Sequence, residues 1–130
     1  MLGDAMEITR VFKWHASHKL CLPYKSKCNA THGHTYTIEV TVEGQLNEEG
    51  MVVDFSQLDG YVNQHASFDH MHLNNLFEFK EEQPTAENLV RYIKKQLDMA
   101  WPFEGVSLKK IRVWETEKSY AQEEYVCLVA

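Results

Sequence analysis

The chain has no long hydrophobic run; its longest, near Tyr125–Ala130, is about six residues, where a membrane-spanning helix needs about 20. It also lacks a cationic excess. Thirteen Lys and Arg stand against nineteen Asp and Glu, giving a net charge of −6, the wrong sign for a protein whose main partner is nucleic acid. The charges are spread along the chain, so there is no acidic tail. Cysteine is scarce: Cys21, Cys28 and Cys127 are an odd number at irregular spacing with no secretory leader pattern ahead of them. That arrangement predicts free thiols in a reducing cytoplasm and excludes a disulfide framework. Internal repeats and low-complexity segments are missing too. What remains is 130 residues at 44% hydrophobic content, enough for one globular domain spanning 1–130.

The most informative stretch is His32-Gly33-His34, with Cys28 four residues before it. Beyond it Tyr36, Ile38, Val40 and Val42 alternate with Thr37, Glu39, Thr41 and Glu43, the period of a half-buried strand over about 34–43. In that register His34 lies on the apolar face, as does His32 if the extended backbone continues through Gly33, which would also admit close approach of another backbone or a substrate. Imidazoles at i and i+2 project side by side, as two ligands of one metal must, although two polar residues at a loop edge have the same spacing. A third ligand comes from the first strand, where Ile8, Phe12, Trp14, Ala16 and His18 share one parity and His15 faces away. Three inner-face imidazoles without a ligating thiolate or carboxylate suit a catalytic zinc site with an open fourth position.

Between these strands, Cys21–Thr31 reads as an irregular loop carrying Cys28 towards the histidines. A polar turn-rich connection over 43–50 leads to a helix with Asp54 as N-cap, Gln57 three residues on, and Phe55, Leu58, Tyr61, Val62 and His65 at helical spacing. Ser67–Asn75 is irregular and polar, with Asp69, His70 and His72. Thr85 caps a second helix whose buried stripe is Ala86, Leu89, Val90, Ile93, Leu97 and Ala100, with Glu87 at its positive end. A strand over about 106–117 gives Ile111, Val113 and Glu115 one parity, placing a carboxylate among β-branched residues; Ala121–Val129 forms a fourth strand. The order ββααββ predicts an α+β fold with a four-stranded antiparallel sheet and both helices on one face. Its uncovered face and edges, with Trp14, Trp114 and six Tyr, predict self-association. His65 is expected half-buried on the first helix, His15 and His72 on the surface, and Cys21 and Cys127 inert.

Taken in order, six segments resemble the 6-pyruvoyl-tetrahydropterin synthase and 6-carboxy-tetrahydropterin synthase family. They are Phe12-Lys13-Trp14-His15-Ala16-Ser17-His18, Cys28-x-x-x-His32-Gly33-His34, Gly50-Met51-Val52-Val53-Asp54-Phe55, Asp69-His70-x-x-Leu73-Asn74, Pro84-Thr85-Ala86-Glu87-Asn88 and Trp114-Glu115-Thr116. The resemblance implies a tunnelling fold that oligomerises into a barrel, such as a hexamer, with zinc on His18, His32 and His34. It further implies Cys28 as catalytic cysteine, Asp69 and His70 as acid/base dyad, and Glu115 as the carboxylate that anchors the pterin. Three residues between Cys28 and His32 are similar to the 6-carboxy type, which turns 7,8-dihydroneopterin triphosphate into 6-carboxy-tetrahydropterin, triphosphate and acetaldehyde on the queuosine and deazapurine route. The 6-pyruvoyl type and a non-catalytic pterin- or purine-binding module are the alternatives; a folate-diverting type carries Glu where this chain has Cys28.

Overall fold

A computed structural model describes residues 3–126 of the chain. In chain order its elements are β1 (Met6–His18), β2 (His32–Gly44), α1 (Phe55–Ala66), β3 (Met71–His72), α2 (Ala86–Asp98), β4 (Val106–Thr116) and β5 (Ser119–Glu124). Single 3₁₀ turns at Lys27–Asn29, Leu73–Asn75 and Phe77–Phe79 punctuate the connections. The alternation of the first two strands is realised in full: β1 and β2 pair antiparallel without a register break, from Met6 opposite Gly44 to His18 opposite His32.

The sheet has five strands rather than the expected four, and it is mixed rather than purely antiparallel. Its order is β3-β1-β2-β4-β5, with β3 parallel to the end of β1 through Ala16 opposite Met71 and Ser17 opposite His72. Two residues carry no periodicity, so a strand this short leaves no trace in a polar segment. β2 begins at His32, bringing both histidines of the His-Gly-His stretch into the strand itself. The last strand begins earlier and ends at Glu124; residues 127–130, Cys127 among them, lie outside the described residues.

Both helices cover one face. Phe12, Trp14 and Ala16 of β1, Tyr36, Ile38, Val40 and Val42 of β2, and Ile111 and Val113 of β4 are buried against Leu58, Tyr61 and Val62 of α1 and Leu89, Ile93 and Leu97 of α2. Each large apolar side chain so removed from water contributes about 1.5–3 kcal/mol before chain entropy is counted. The opposite parity of β1, including Val11, Lys13 and His15, is exposed. Asp54 caps α1 by accepting the Ser56 N–H at 2.8 Å, and the Thr85 hydroxyl accepts the Asn88 N–H at 3.2 Å to cap α2. Phe55 and Ala100, expected in the buried stripes, are exposed, one at the first turn of α1 and the other past the end of α2.

Candidate metal centre

Register alone brings the three histidines together. His18 closes β1 and His32 opens β2, directly opposite each other, while His34 shares the inner face two residues on. The three rings stand edge to face, with centroids 4.5, 4.9 and 5.2 Å apart. Nε2 of His18 and Nε2 of His32 are 3.0 Å apart. Glu115 enters from β4, where Trp114 pairs with Tyr120 and Thr116 with Ser119, leaving Glu115 as the extra residue of a β-bulge. Bulges re-aim side chains, and this one brings the Glu115 Oε1 to 3.3 Å from Nε2 of both His18 and His34. All four donor atoms lie within 4.8 Å of one another.

Hydrogen bonds on the far side of two rings decide what those nitrogens present. His18 Nδ1 is 2.8 Å from the Pro84 carbonyl and His32 Nδ1 is 2.8 Å from the Ala30 carbonyl. A carbonyl only accepts, so each Nδ1 carries its ring's proton and each neutral ring turns an Nε2 lone pair inward. Two lone pairs 3.0 Å apart repel unless a cation lies between them. His34 Nε2, buried without a hydrogen-bond partner among the described residues, lies beside them, 3.3 Å from Glu115 Oε1. A metal ion satisfies all three nitrogens together, and imidazole and carboxylate donors suit zinc. The backbone carbonyls of Pro84 and Ala30, with the Tyr36 hydroxyl 3.2 Å from His18 Nδ1, are the orienting groups.

The electrostatics favour the ligating forms. Burial lowers the His34 pKa below its ordinary value, against an opposing pull from Glu115, so the ring is held neutral. The Glu115 carboxyl is held below the usual range, chiefly by hydrogen bonding from His18, against burial, with His34 and His18 charge adding to it.

The other expected site residues lie elsewhere. Cys28 sits in the Lys27–Asn29 turn, its N–H held by the Ser26 hydroxyl at 3.1 Å, its side chain half-buried and not one of the four converging donors. Asp69 Oδ1 accepts the His15 N–H at 2.8 Å, which is the main reason its carboxyl titrates below the ordinary value, and Oδ2 is 3.1 Å from His70 Nδ1. His70 adopts φ +61° and its ring stands 5.8 Å from that of His15, on the opposite face of β1 from His18. His15 is exposed as expected, and His65 is half-buried against the Tyr61 ring. His72, expected at the surface, is half-buried with its Nδ1 2.8 Å from the Ser17 hydroxyl. A Cβ on Gly33 would meet the Ala16 carbonyl at an ordinary 3.6 Å, so among the described residues no close approach demands glycine there.

Two side chains that the sequence did not single out for a role fix the Cys28 loop. Asn74 Oδ1 accepts the Lys19 N–H at 2.8 Å while its amide donates to the Lys19 carbonyl at 2.9 Å. Gln83 does the same to Cys21, at 2.9 and 2.7 Å, and its own carbonyl accepts from the Asn88 side chain. Each amide mimics a neighbouring strand. Gln83 also precedes the Pro84 carbonyl that orients His18, so one short segment aligns both the loop and a candidate ligand.

Together the half-covered sheet and this centre define an α+β protein with a metal-competent three-histidine site at the end of two paired strands. The 6-pyruvoyl tetrahydropterin synthase family model matches residues 7–125, and the chain belongs to that family of tetrahydropterin synthases. It is similar to a candidate 6-carboxy-5,6,7,8-tetrahydropterin synthase of Archaeoglobus fulgidus, 36% identical over 108 residues that cover 82% of this chain and 85% of the relative. A dihydroneopterin monophosphate aldolase of Pyrococcus furiosus is 36% identical over 88 residues, covering 65% of this chain and 69% of the relative. The solved 6-pyruvoyl tetrahydropterin synthase of Caenorhabditis elegans superposes with a TM-score of 0.82 at 25% identity, covering 97% of this chain and 99% of its own.

Proposed function

We propose that the protein is a zinc-dependent lyase that converts 7,8-dihydroneopterin triphosphate to 6-carboxy-5,6,7,8-tetrahydropterin, releasing triphosphate and acetaldehyde, on the route to queuosine and other deazapurines. The observation that carries the metal dependence is the convergence of three imidazoles and a carboxylate, all four donor atoms within 4.8 Å of one another. The likeness to 6-carboxy-5,6,7,8-tetrahydropterin synthases, together with Cys28 in place of a glutamate, supports the 6-carboxy reaction. Zinc on His18, His32 and His34 would supply Lewis acidity to the hydroxyls of the substrate side chain.

The chain's own residues take the remaining roles in this reading. Cys28, half-buried on a clamped loop, is the base that removes a proton from the side chain. The Asp69–His70 pair acts as proton carrier, the carboxylate orienting the imidazole. Because that pair lies across β1 from the metal centre, the reading requires it to serve the centre of another subunit, in a homo-oligomer whose pocket lies between chains. Glu115 accepts the N–H edge of the pterin ring.

A side-chain cleavage of the aldolase kind is a second reading, favoured by the Pyrococcus relative, and it uses the same centre. Incubation of the zinc-loaded protein with 7,8-dihydroneopterin triphosphate and assignment of products by mass separates the cases. Carboxy-tetrahydropterin with acetaldehyde supports the main reading. A 6-pyruvoyl product or an aldehyde cleaved from an intact dihydropterin replaces it, and no turnover with zinc bound would leave a pterin-binding module.

A further inference from the structure

We propose that His15 is a positioning residue for the Asp69–His70 pair: its ring, tied to Thr35, fixes the angle of the His70 imidazole. The proposal rests on the reading of that pair as proton carrier, and it gives a role to a histidine that sequence alone placed on the surface.

Three observations carry it. The first is how lightly the His70 ring is held. Its side chain is 78% exposed, with Nδ1 3.1 Å from Asp69 Oδ2 and the His15 ring 5.8 Å away between centroids at an interplanar angle of 60°. One hydrogen bond at Nδ1 leaves an imidazole free to swing about the N–O line, because a carboxylate accepts over a broad range of directions. A second point of contact stops the swing, and the His15 ring, set edge-to-face against it, supplies one. The second observation is the main chain of residue 15, which meets both members of the pair. Its N–H donates to Asp69 Oδ1 at 2.8 Å and its carbonyl accepts the His70 N–H at 2.5 Å. That grip holds His70 at φ +61°, the one non-glycine residue with positive φ among the described residues, a conformation that persists where its surroundings over-determine it. β3 begins at the next residue, so its short pairing with β1 delivers the pair to this ring. The third observation is the anchoring of His15 itself. The β1–β2 register sets Thr35 directly opposite, with Oγ1 3.0 Å from His15 Nδ1. A hydroxyl both donates and accepts, so this tie survives either protonation state of the ring.

This role is separable from metal binding and from substrate affinity. His15 is not among the four donors that converge on the inner face, and it stands exposed on the outer face of β1. Loss of its ring leaves the main-chain grip on Asp69 and His70 in place and frees only the His70 imidazole. Misplacing a group by about 1 Å can cost about a hundredfold in rate. Because a proton carrier acts at the transition state, the loss falls on kcat rather than KM. It must also pass through His70, and where His70 is absent the His15 ring has nothing left to aim.

Steady-state kinetics of the zinc-loaded enzyme on 7,8-dihydroneopterin triphosphate, with crystal structures of the same variants, test this. The expected result for His15→Ala is a kcat lower by about tenfold or more, a KM within about twofold of wild type, and a His70 ring that takes more than one orientation. Thr35→Val, which keeps every ring, should show a smaller loss of the same kind. His15→Phe, which keeps a ring against His70, should recover most of the rate. In a His70→Ala background, adding His15→Ala should change nothing further. A wild-type kcat in His15→Ala, an equal loss in the His70→Ala background, or a single unchanged His70 orientation overturns the proposal. A His70→Ala enzyme with wild-type kcat overturns the proton-carrier reading instead, and a wild-type protein without turnover overturns the proposed reaction. The orientation of the His70 ring is read from the crystals in either case, so these failures are distinguishable.

Discussion

Removal of one imidazole should abolish a large metal-induced gain in stability while barely altering the metal-free protein. At free zinc about a thousandfold above its dissociation constant, a ligand that binds only the folded state adds about 4.1 kcal/mol. An unfolding entropy of about 2.1 cal/mol/K per residue over 130 residues converts this into a rise in Tm of about 15 °C. In His34→Ala the centre retains two imidazoles and the carboxylate, and the rise should shrink to about 3 °C or less at the same zinc concentration. The metal-free Tm is a poor guide here. Deleting the ring removes a buried nitrogen that has no hydrogen-bond partner among the described residues, a relief of about 1–3 kcal/mol, but leaves a void that costs a similar amount. The informative quantity is the difference between zinc-loaded and chelator-treated melting curves for each variant. His15→Ala, altered on the exposed face of the same strand, should keep the full rise. An equal rise in His34→Ala and wild type would refute the reasoning, because the stabilising ion would then be bound elsewhere.

Cys28→Ala should keep zinc and fold and lose turnover by roughly the 10²–10⁴-fold expected for a missing general base, read from steady-state kinetics; near-normal kcat removes Cys28 from the chemistry. Glu115→Gln should keep zinc and bind a non-reactive pterin at least tenfold more weakly by fluorescence titration. Asp69 has a folded pKa below its ordinary 3.8, so its contribution to stability is complete above that value and fades as pH falls through the lower folded one. Asp69→Asn should therefore lose less stability than wild type on acidification below about pH 4, in urea midpoints measured across pH. Thr85→Ala removes the α2 cap at a cost of about 1 kcal/mol, or about 4 °C in Tm.

The inner faces of β1 and β2 were legible because each is long, amphipathic and pinned by a buried row, so parity carried through to the three histidines at their ends. Glu115 was legible for the same reason, through its parity with Ile111 and Val113, but the bulge that aims it depends on which residues of β5 stand opposite, and no local pattern records that. β3 was invisible because its two residues are strand only by pairing with β1. The carbonyls of Pro84 and Ala30 are backbone groups that any sequence would offer. Asn74 and Gln83 look like ordinary polar loop residues, and only tertiary contact turns their amides into partners for Lys19 and Cys21.

Those two amides have a further consequence for how the loop can change. Within the loop, the Leu20 N–H donates to the Cys28 carbonyl and the Leu22 N–H to the Asn29 side chain, so its two arms are stitched to each other near the base. The exposed tip at Pro23, Tyr24 and Lys25 lies beyond every one of these ties except the Asn29 contact with the Tyr24 carbonyl. Extra residues inserted between Tyr24 and Lys25 would lengthen an appendage without moving the thiol relative to the histidines. Doubling such a segment costs only about 0.6 kcal/mol of closure entropy. The tip is therefore a place where residues can be inserted, or a reporter group grafted, while the spacing from Cys28 to His32 stays as it is.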